Sequence, residues 1–194
     1  MCDRKFDFFS SNLLIMNKKH HYKLTTQWTG NTGNGTGNYR AYERSHVIQA
    51  MDKTEILCSS DGSFRGDRTK YNPEELLVAS ISSCHMLWYL HLCAAAGVVV
   101  VDYTDNATGV MQETENGSGY FTEITLFPKV VVKDASMIKM ANSLHSKANE
   151  YCFIANSVKF PVHHQPTCEV EQISKIYGIT CFLPLDFLQR LKLP

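Results

Sequence analysis

Formal charge cancels in this chain of 194 residues, 19 lysines and arginines against 19 aspartates and glutamates. A balanced surface offers no basic stripe to phosphates, so nucleic acid and anionic membrane surfaces are not expected partners. The seven cysteines (Cys2, Cys58, Cys84, Cys93, Cys152, Cys168 and Cys181) include no Cys-x-x-Cys pair. An odd number of thiols without that spacing, on a chain long enough for its own core, excludes a small disulfide scaffold. It points instead to a reducing compartment, the cytoplasm. No apolar run reads as a bilayer span, because the longest, 76–101, is interrupted by His85, His91 and several serines. The N-terminus lacks a small-residue cleavage site and does not read as a signal peptide. The glycine- and asparagine-rich run 29–38 lacks Gly-Lys-Ser/Thr, and no helix signal follows it. It is therefore a loop and not a phosphate cradle.

What the sequence does have is one organising stretch, NPEELLVASISSCHMLWYLHLCAAAG, from Asn72 to Gly97. Asn72 suits a helix N-cap and Pro73 the first helical position. Glu75 completes a capping box with Asn72, and the helix dipole favours Glu74 and Glu75 in the first turn. No formal charge follows until Asp102. A helix apolar nearly all round belongs in the middle of a fold or at a subunit interface. Gly97 is its natural stop.

Around this helix the chain reads as α+β. Residues 1–16 look like an N-terminal extension, 17–173 like one domain without an internal linker, and 174–194 like a C-terminal tail. Segments 22–28, 39–50 and 54–59 read as strands, followed by a polar loop over 61–71. Residues 98–103 suggest a strand, and 107–113 with 120–132 a hairpin about the turn signal Asn116-Gly117. Asp134 caps a second helix, in which Met137, Met140, Ala141, Leu144, Ala148, Tyr151 and Cys152 share one face. A short apolar turn over 153–160 ends at Pro161, and a last strand is expected at 167–173.

Cys84 and Cys152 each fall on the apolar face of a helix. A free cysteine so placed commonly packs as a small hydrophobe. Chemistry needs a thiolate, and a thiolate needs a neighbouring positive charge or donor. His85, His91 and His145 can tune a thiolate, and equally fit as hydrogen-bonded core residues. His163, His164 and Cys168 do not have a zinc spacing, so neither metal nor cofactor is expected. Trp88 and Tyr89 suit core or interface packing, or the lining of an apolar pocket.

The segment NPEELLVASISSCH resembles the osmotically inducible protein C and organic hydroperoxide resistance family (OsmC/Ohr). There an Asn-Pro-Glu-x-Leu opening is followed, ten residues after its glutamate, by a reactive cysteine; here these positions are Glu74 and Cys84. The second family cysteine ends a later helix, as Cys152 does. The resemblance covers about 22–173 and implies an intertwined homodimer. In it a long central cysteine-bearing helix packs against antiparallel β-sheet, with sites at the subunit interface.

It further implies a thiol-dependent peroxidase acting on organic hydroperoxides in oxidative stress. Cys84 would be peroxidatic and Cys152 resolving, through a sulfenic acid and then a disulfide. An external thiol, lipoyl-linked in some family members, restores the dithiol. Glu74 would orient an arginine that activates Cys84. Arg65 is the first candidate, with Arg40 and Arg44 also open. Ten residues of helix rise about 15 Å, so Glu74 reaches a cysteine only if the helix bends or starts late, or if the cysteine belongs to another copy. Phe153 stands where the family's peroxidases have proline after the second cysteine. The alternative function is a relative that binds an apolar small molecule, or reacts with another thiol-reactive compound, without efficient peroxide turnover. A third is a structural dimer with inert cysteines.

Overall fold

The structure, a computed structural model, describes residues 18–172. The extension 1–16 and the tail 174–194 lie outside the described residues. The chain divides into two compact units, parting in sequence between Glu74 and Glu75. The sequence reading has one domain here. Because the division falls inside the first turn of a helix, no linker composition marks it.

The first unit contains an antiparallel meander of β1 (Thr25–Trp28), β2 (His46–Gln49) and β3 (Ile56–Cys58), with Trp28 opposite His46 and His46 opposite Cys58. The β1–β2 loop is built by Asn31, whose side-chain oxygen accepts the amides of Gly33 and Gly35 at 2.9 and 3.0 Å. Both glycines have positive φ, which only glycine adopts cheaply. After β3, Asp61 caps a single 3-10 turn (Gly62–Phe64) by accepting the Ser63 amide at 2.7 Å.

α1 (Pro73–Ala95) begins directly after Asn72. It ends in a Schellman motif: Gly97 takes φ +74°, its amide bonds Ala94 O, and the Val98 amide bonds Cys93 O at 2.9 Å. By length and mean hydropathy this helix also suits a bilayer span, which the sequence reading excluded. Its buried residues, Ile81, His85, Tyr89 and Cys93, pack into the core of the second unit.

The second unit continues with β4 (Val100–Asp105), β5 (Thr108–Glu113), β6 (Gly119–Leu126), β7 (Pro128–Val132), α2 (Ile138–Tyr151), β8 (Val162–His164) and β9 (Thr167–Val170). These form two three-stranded sheets, ordered β4-β7-β9 and β5-β6-β8. The sheets are mixed, not antiparallel as expected: β6 pairs β8, and β7 pairs β9, in parallel. Parallel neighbours need a crossover, and α2 supplies it. β8 and β9 are too short to show an alternation, so β8 escapes a reading from pattern. The expected single arm 120–132 is two strands broken at Phe127. Asp105 holds the break, accepting the Phe127 amide at 2.7 Å and the Ser82 hydroxyl of α1.

Two apolar clusters form the core of this unit. In one, Ile81 meets Ile124 and Leu126 of β6. In the other, Tyr89 and Cys93 meet Val98, Val130 and Val132, together with Ala141 and Ala148 of α2. Ile81 is fully buried. Ile81→Ala is expected to cost about 2–5 kcal/mol by leaving a cavity between α1 and β6, read as a lowered urea midpoint. An unchanged midpoint would show that the site collapses around the loss.

Candidate functional site

Two helices deliver the two sulfurs. Cys84 sits half-buried three turns into α1. Cys152 is the residue on which α2 ends; its backbone is already extended (φ −67°, ψ 106°) and it is 1% exposed. The Cys84 side chain neighbours the Cys152 thiol. The Cys152 sulfur also lies 4.0 Å from the Ile81 carbonyl and accepts the Ala155 amide at 3.4 Å. Burial first, and the neighbouring Cys84 side chain second, push the Cys152 thiol up to about 11, against the lowering effect of the Ala155 and Ile154 amides. At neutral pH Cys152 is therefore a thiol, with Cys84 the half-exposed partner.

Aromatic rings flank the pair. Trp88, one turn beyond Cys84, meets the residues on either side of Cys152: Tyr151 at 5.2 Å between centroids, and Phe153 edge-to-face at 5.6 Å. His91 is exposed and touches Trp88 at 5.8 Å.

The two cysteine-bearing helices also share a histidine pair. His85 and His145 are both within 1% of full burial. Nε2 of His85 is 3.1 Å from Nδ1 of His145, so one imidazole N–H donates to the other's bare nitrogen. Tyr89 covers a face of His145 at 3.9 Å, and His164 of β8 lies 5.7 and 6.2 Å from the two rings. Burial, with charge repulsion from the neighbouring histidines, lowers His85 to about 4 and His145 to about 3. The sequence places each histidine near a cysteine, but spacing along one helix cannot show that a histidine of another helix is its partner. Among the described residues no three His, Cys, Asp or Glu groups converge as metal ligands would.

The remaining sequence candidates lie in the first unit. Arg44 is spent on its own loop: its guanidinium donates to the Tyr42 and Tyr39 carbonyls at 2.6 and 2.8 Å and lies 4.3 Å from both tyrosine rings. Arg40 is exposed. Arg65 is exposed too, held in a left-handed backbone conformation (φ 66°) after the Gly62–Phe64 turn. The same loop holds Arg68, which acts on Asp61 and which the motif alone does not single out. Residues 75–172 contain no arginine. Glu74 lies in the first turn of one continuous helix, about 15 Å of rise from Cys84. A late start is thereby excluded, and the structure does not bring these two together. Glu74 Oε2 is buried without a hydrogen-bond partner among the described residues.

Residues 66–167, more than half of the chain, match the sequence profile of the OsmC-like proteins. The chain belongs to the OsmC-like family. It is 27% identical over 157 residues to the uncharacterised protein YmaD of Bacillus subtilis (strain 168), covering 78% of this chain and 95% of that one. An OsmC-like protein of unknown function from Vibrio cholerae superposes with a TM-score of 0.70 at 29% identity, over 77% of this chain and all of the other. An organic hydroperoxide resistance protein from Elizabethkingia anophelis shares the fold at TM-score 0.56 and 19% identity, over 79% of this chain and all of that one.

The histidine pair gives this OsmC-like protein a defined acid response. Both folded values lie below the ordinary 6.5. Between 6.5 and the folded values the unfolded chain binds protons that the folded chain refuses, so stability falls as pH falls through that window. Each histidine acts with a slope of up to about 1.4 kcal/mol per pH unit. Urea midpoints are expected to hold steady above neutrality and decline from about pH 6.5 toward 5, where few carboxylates titrate. His145→Gln is expected to decline less steeply; an equal slope would remove the pair as the cause.

Proposed function

We infer that this OsmC-like protein is a thiol-dependent peroxidase for organic hydroperoxides, acting as a cytoplasmic homodimer in oxidative stress. The observation that carries the reading is the placing of the Cys152 sulfur against α1, 4.0 Å from the Ile81 carbonyl and beside the Cys84 side chain. Two cysteines far apart in the sequence, one half-exposed and one buried, meet at the end of α2. The hydroperoxide-resistance name of the Elizabethkingia relative is consistent with it.

The chemistry assigns the roles. The Cys84 thiolate attacks the outer oxygen of the hydroperoxide; the O–O bond breaks, and the alkoxide takes a proton and leaves as alcohol. Cys84 is then a sulfenic acid. The Cys152 sulfur attacks the Cys84 sulfur, an S–S bond forms and the S–O bond breaks. The departing hydroxide leaves as water with the proton from Cys152. The amides of Ala155 and Ile154, which favour the charged sulfur, ease the loss of that proton. An external dithiol, of the lipoyl type, then exchanges with the disulfide and is itself oxidised. Trp88, Tyr151 and Phe153 make the approach to Cys84 apolar, which suits a carbon-bearing hydroperoxide over hydrogen peroxide.

The activating guanidinium comes from outside 75–172, with Arg65 first and Arg40 second, since Arg44 is occupied. Glu74, with a buried unpaired oxygen, is the carboxylate to orient it, across the subunit boundary of the dimer. Leu87 on α1 is 63% exposed and Phe153 is 68% exposed, apolar surface that a second copy would cover.

Three measurements test this. Mixing with tert-butyl hydroperoxide is expected to form a Cys84–Cys152 disulfide, mapped by digestion and mass. Cys84→Ser is expected to abolish turnover, and Cys152→Ser to leave a trappable sulfenic acid. Light scattering is expected to give twice the mass of one chain. Alkylation of Cys84 without peroxide turnover would favour a binding or thiol-reactive relative; a Cys84 inert to thiol reagents would leave only a structural role.

A further inference from the structure

The buried imidazole pair joins the two helices that carry the sulfurs. His85 directly follows Cys84 on α1, and His145 stands two turns before Cys152 on α2. The two rings are 7° from parallel, yet their centroids are 5.4 Å apart with the facing nitrogens at 3.1 Å. Face-stacked rings come far closer, as Tyr89 does on His145 at 3.9 Å. The histidines therefore lie nearly end to end, the geometry of an N–H···N hydrogen bond. Their other nitrogens, Nδ1 of His85 and Nε2 of His145, have no hydrogen-bond partner among the described residues. Water does not replace a bond at this depth, so losing it strands two buried polar atoms. Tyr89 from α1 and His164 from β8 confine the rings.

We propose that the His85–His145 hydrogen bond is a clasp that fixes the separation of α1 and α2 and so holds the Cys152 thiol against Cys84. Both histidines are positioning residues for disulfide formation between the two cysteines. The role in peroxide turnover rests on the function inferred above; the geometric role does not. Attack on the hydroperoxide does not involve Cys152, whereas closure of the disulfide needs Cys152 within reach. Loss of the clasp thus separates two steps that otherwise run together.

The test compares full-length His145→Leu, which fills space without a polar atom, with His145→Gln, whose amide N–H can still donate to His85. Equilibration with oxidised and reduced glutathione comes first. There the two protein thiols pass two electrons to glutathione disulfide, giving the Cys84–Cys152 disulfide and two glutathione thiols. The equilibrium constant is expected to fall about tenfold or more in the Leu variant and to stay within about twofold of wild type in the Gln variant. In a single turnover with tert-butyl hydroperoxide, the Leu variant is expected to consume peroxide at the wild-type rate. It should also accumulate Cys84 sulfenic acid, trapped with dimedone, where the Gln variant does not. Equal equilibrium constants in wild type and the Leu variant, or equal losses in both variants, would overturn the clasp. If wild type consumes no hydroperoxide while the glutathione result holds, the peroxidase reading falls and the clasp stands. Should the Leu variant not fold, His145→Asn, whose shorter amide falls short of His85, takes its place.

Discussion

Ile81, His85, Tyr89 and Cys93 stand four residues apart along α1, and they are the residues this helix buries. Four residues are slightly more than one turn, so these side chains form a single slanting line. Ile81 meets β6, and Tyr89 and Cys93 meet β7 and α2. That line fixes how α1 is turned about its axis. Cys84, one position off it, is left half-buried at the margin of the core, open on one side and facing the end of α2 on the other. A different rotation would either sink Cys84 among the valines or carry it away from Cys152.

The core has a polar seam because of the same line. Three of its four members, His85, Tyr89 and Cys93, can form hydrogen bonds, and His85 finds its partner at the second position of a matching buried set on α2, Ala141, His145 and Ala148. The small alanines on either side of His145 let the helices approach closely, and the imidazoles occupy the space between them. Burial keeps both imidazoles neutral, so the seam between the helices carries no formal charge. Neither unpaired ring nitrogen faces a compensating ion among the described residues.

Much of this was legible from the residues. Asn72-Pro73 and Gly97 bracket α1 within a residue or two, because capping and left-handed termination are local chemistry that a short segment determines alone. Asp134 likewise announces the second helix. The resemblance of NPEELLVASISSCH to the OsmC/Ohr family pointed to the family and to an α+β architecture. What the sequence did not reveal was of longer range. A helix apolar on nearly every side does not say which line it buries, and here the line runs through a histidine and a tyrosine while Leu87 stays out. The parallel pairings of β8 and β9 depend on a crossover, and strands of three and four residues carry no readable period. The arm 120–132 breaks at Phe127, before Pro128, where Asp105, 22 residues earlier, captures the Phe127 amide.

The arginine distribution has a wider consequence. A thiol pair, its flanking aromatics and its imidazole seam all reside within a stretch that encodes no guanidinium. The sulfurs can thus be brought together by one stretch of chain and electrically primed by another. On the proposed function, substitutions in the loop that bears Arg65 retune reactivity while the dithiol scaffold remains untouched, and the scaffold can be refashioned without disturbing the source of charge. Descendants of such an arrangement are free to gain or lose potency through an exposed, tolerant loop, and need not pass through variants whose core is compromised.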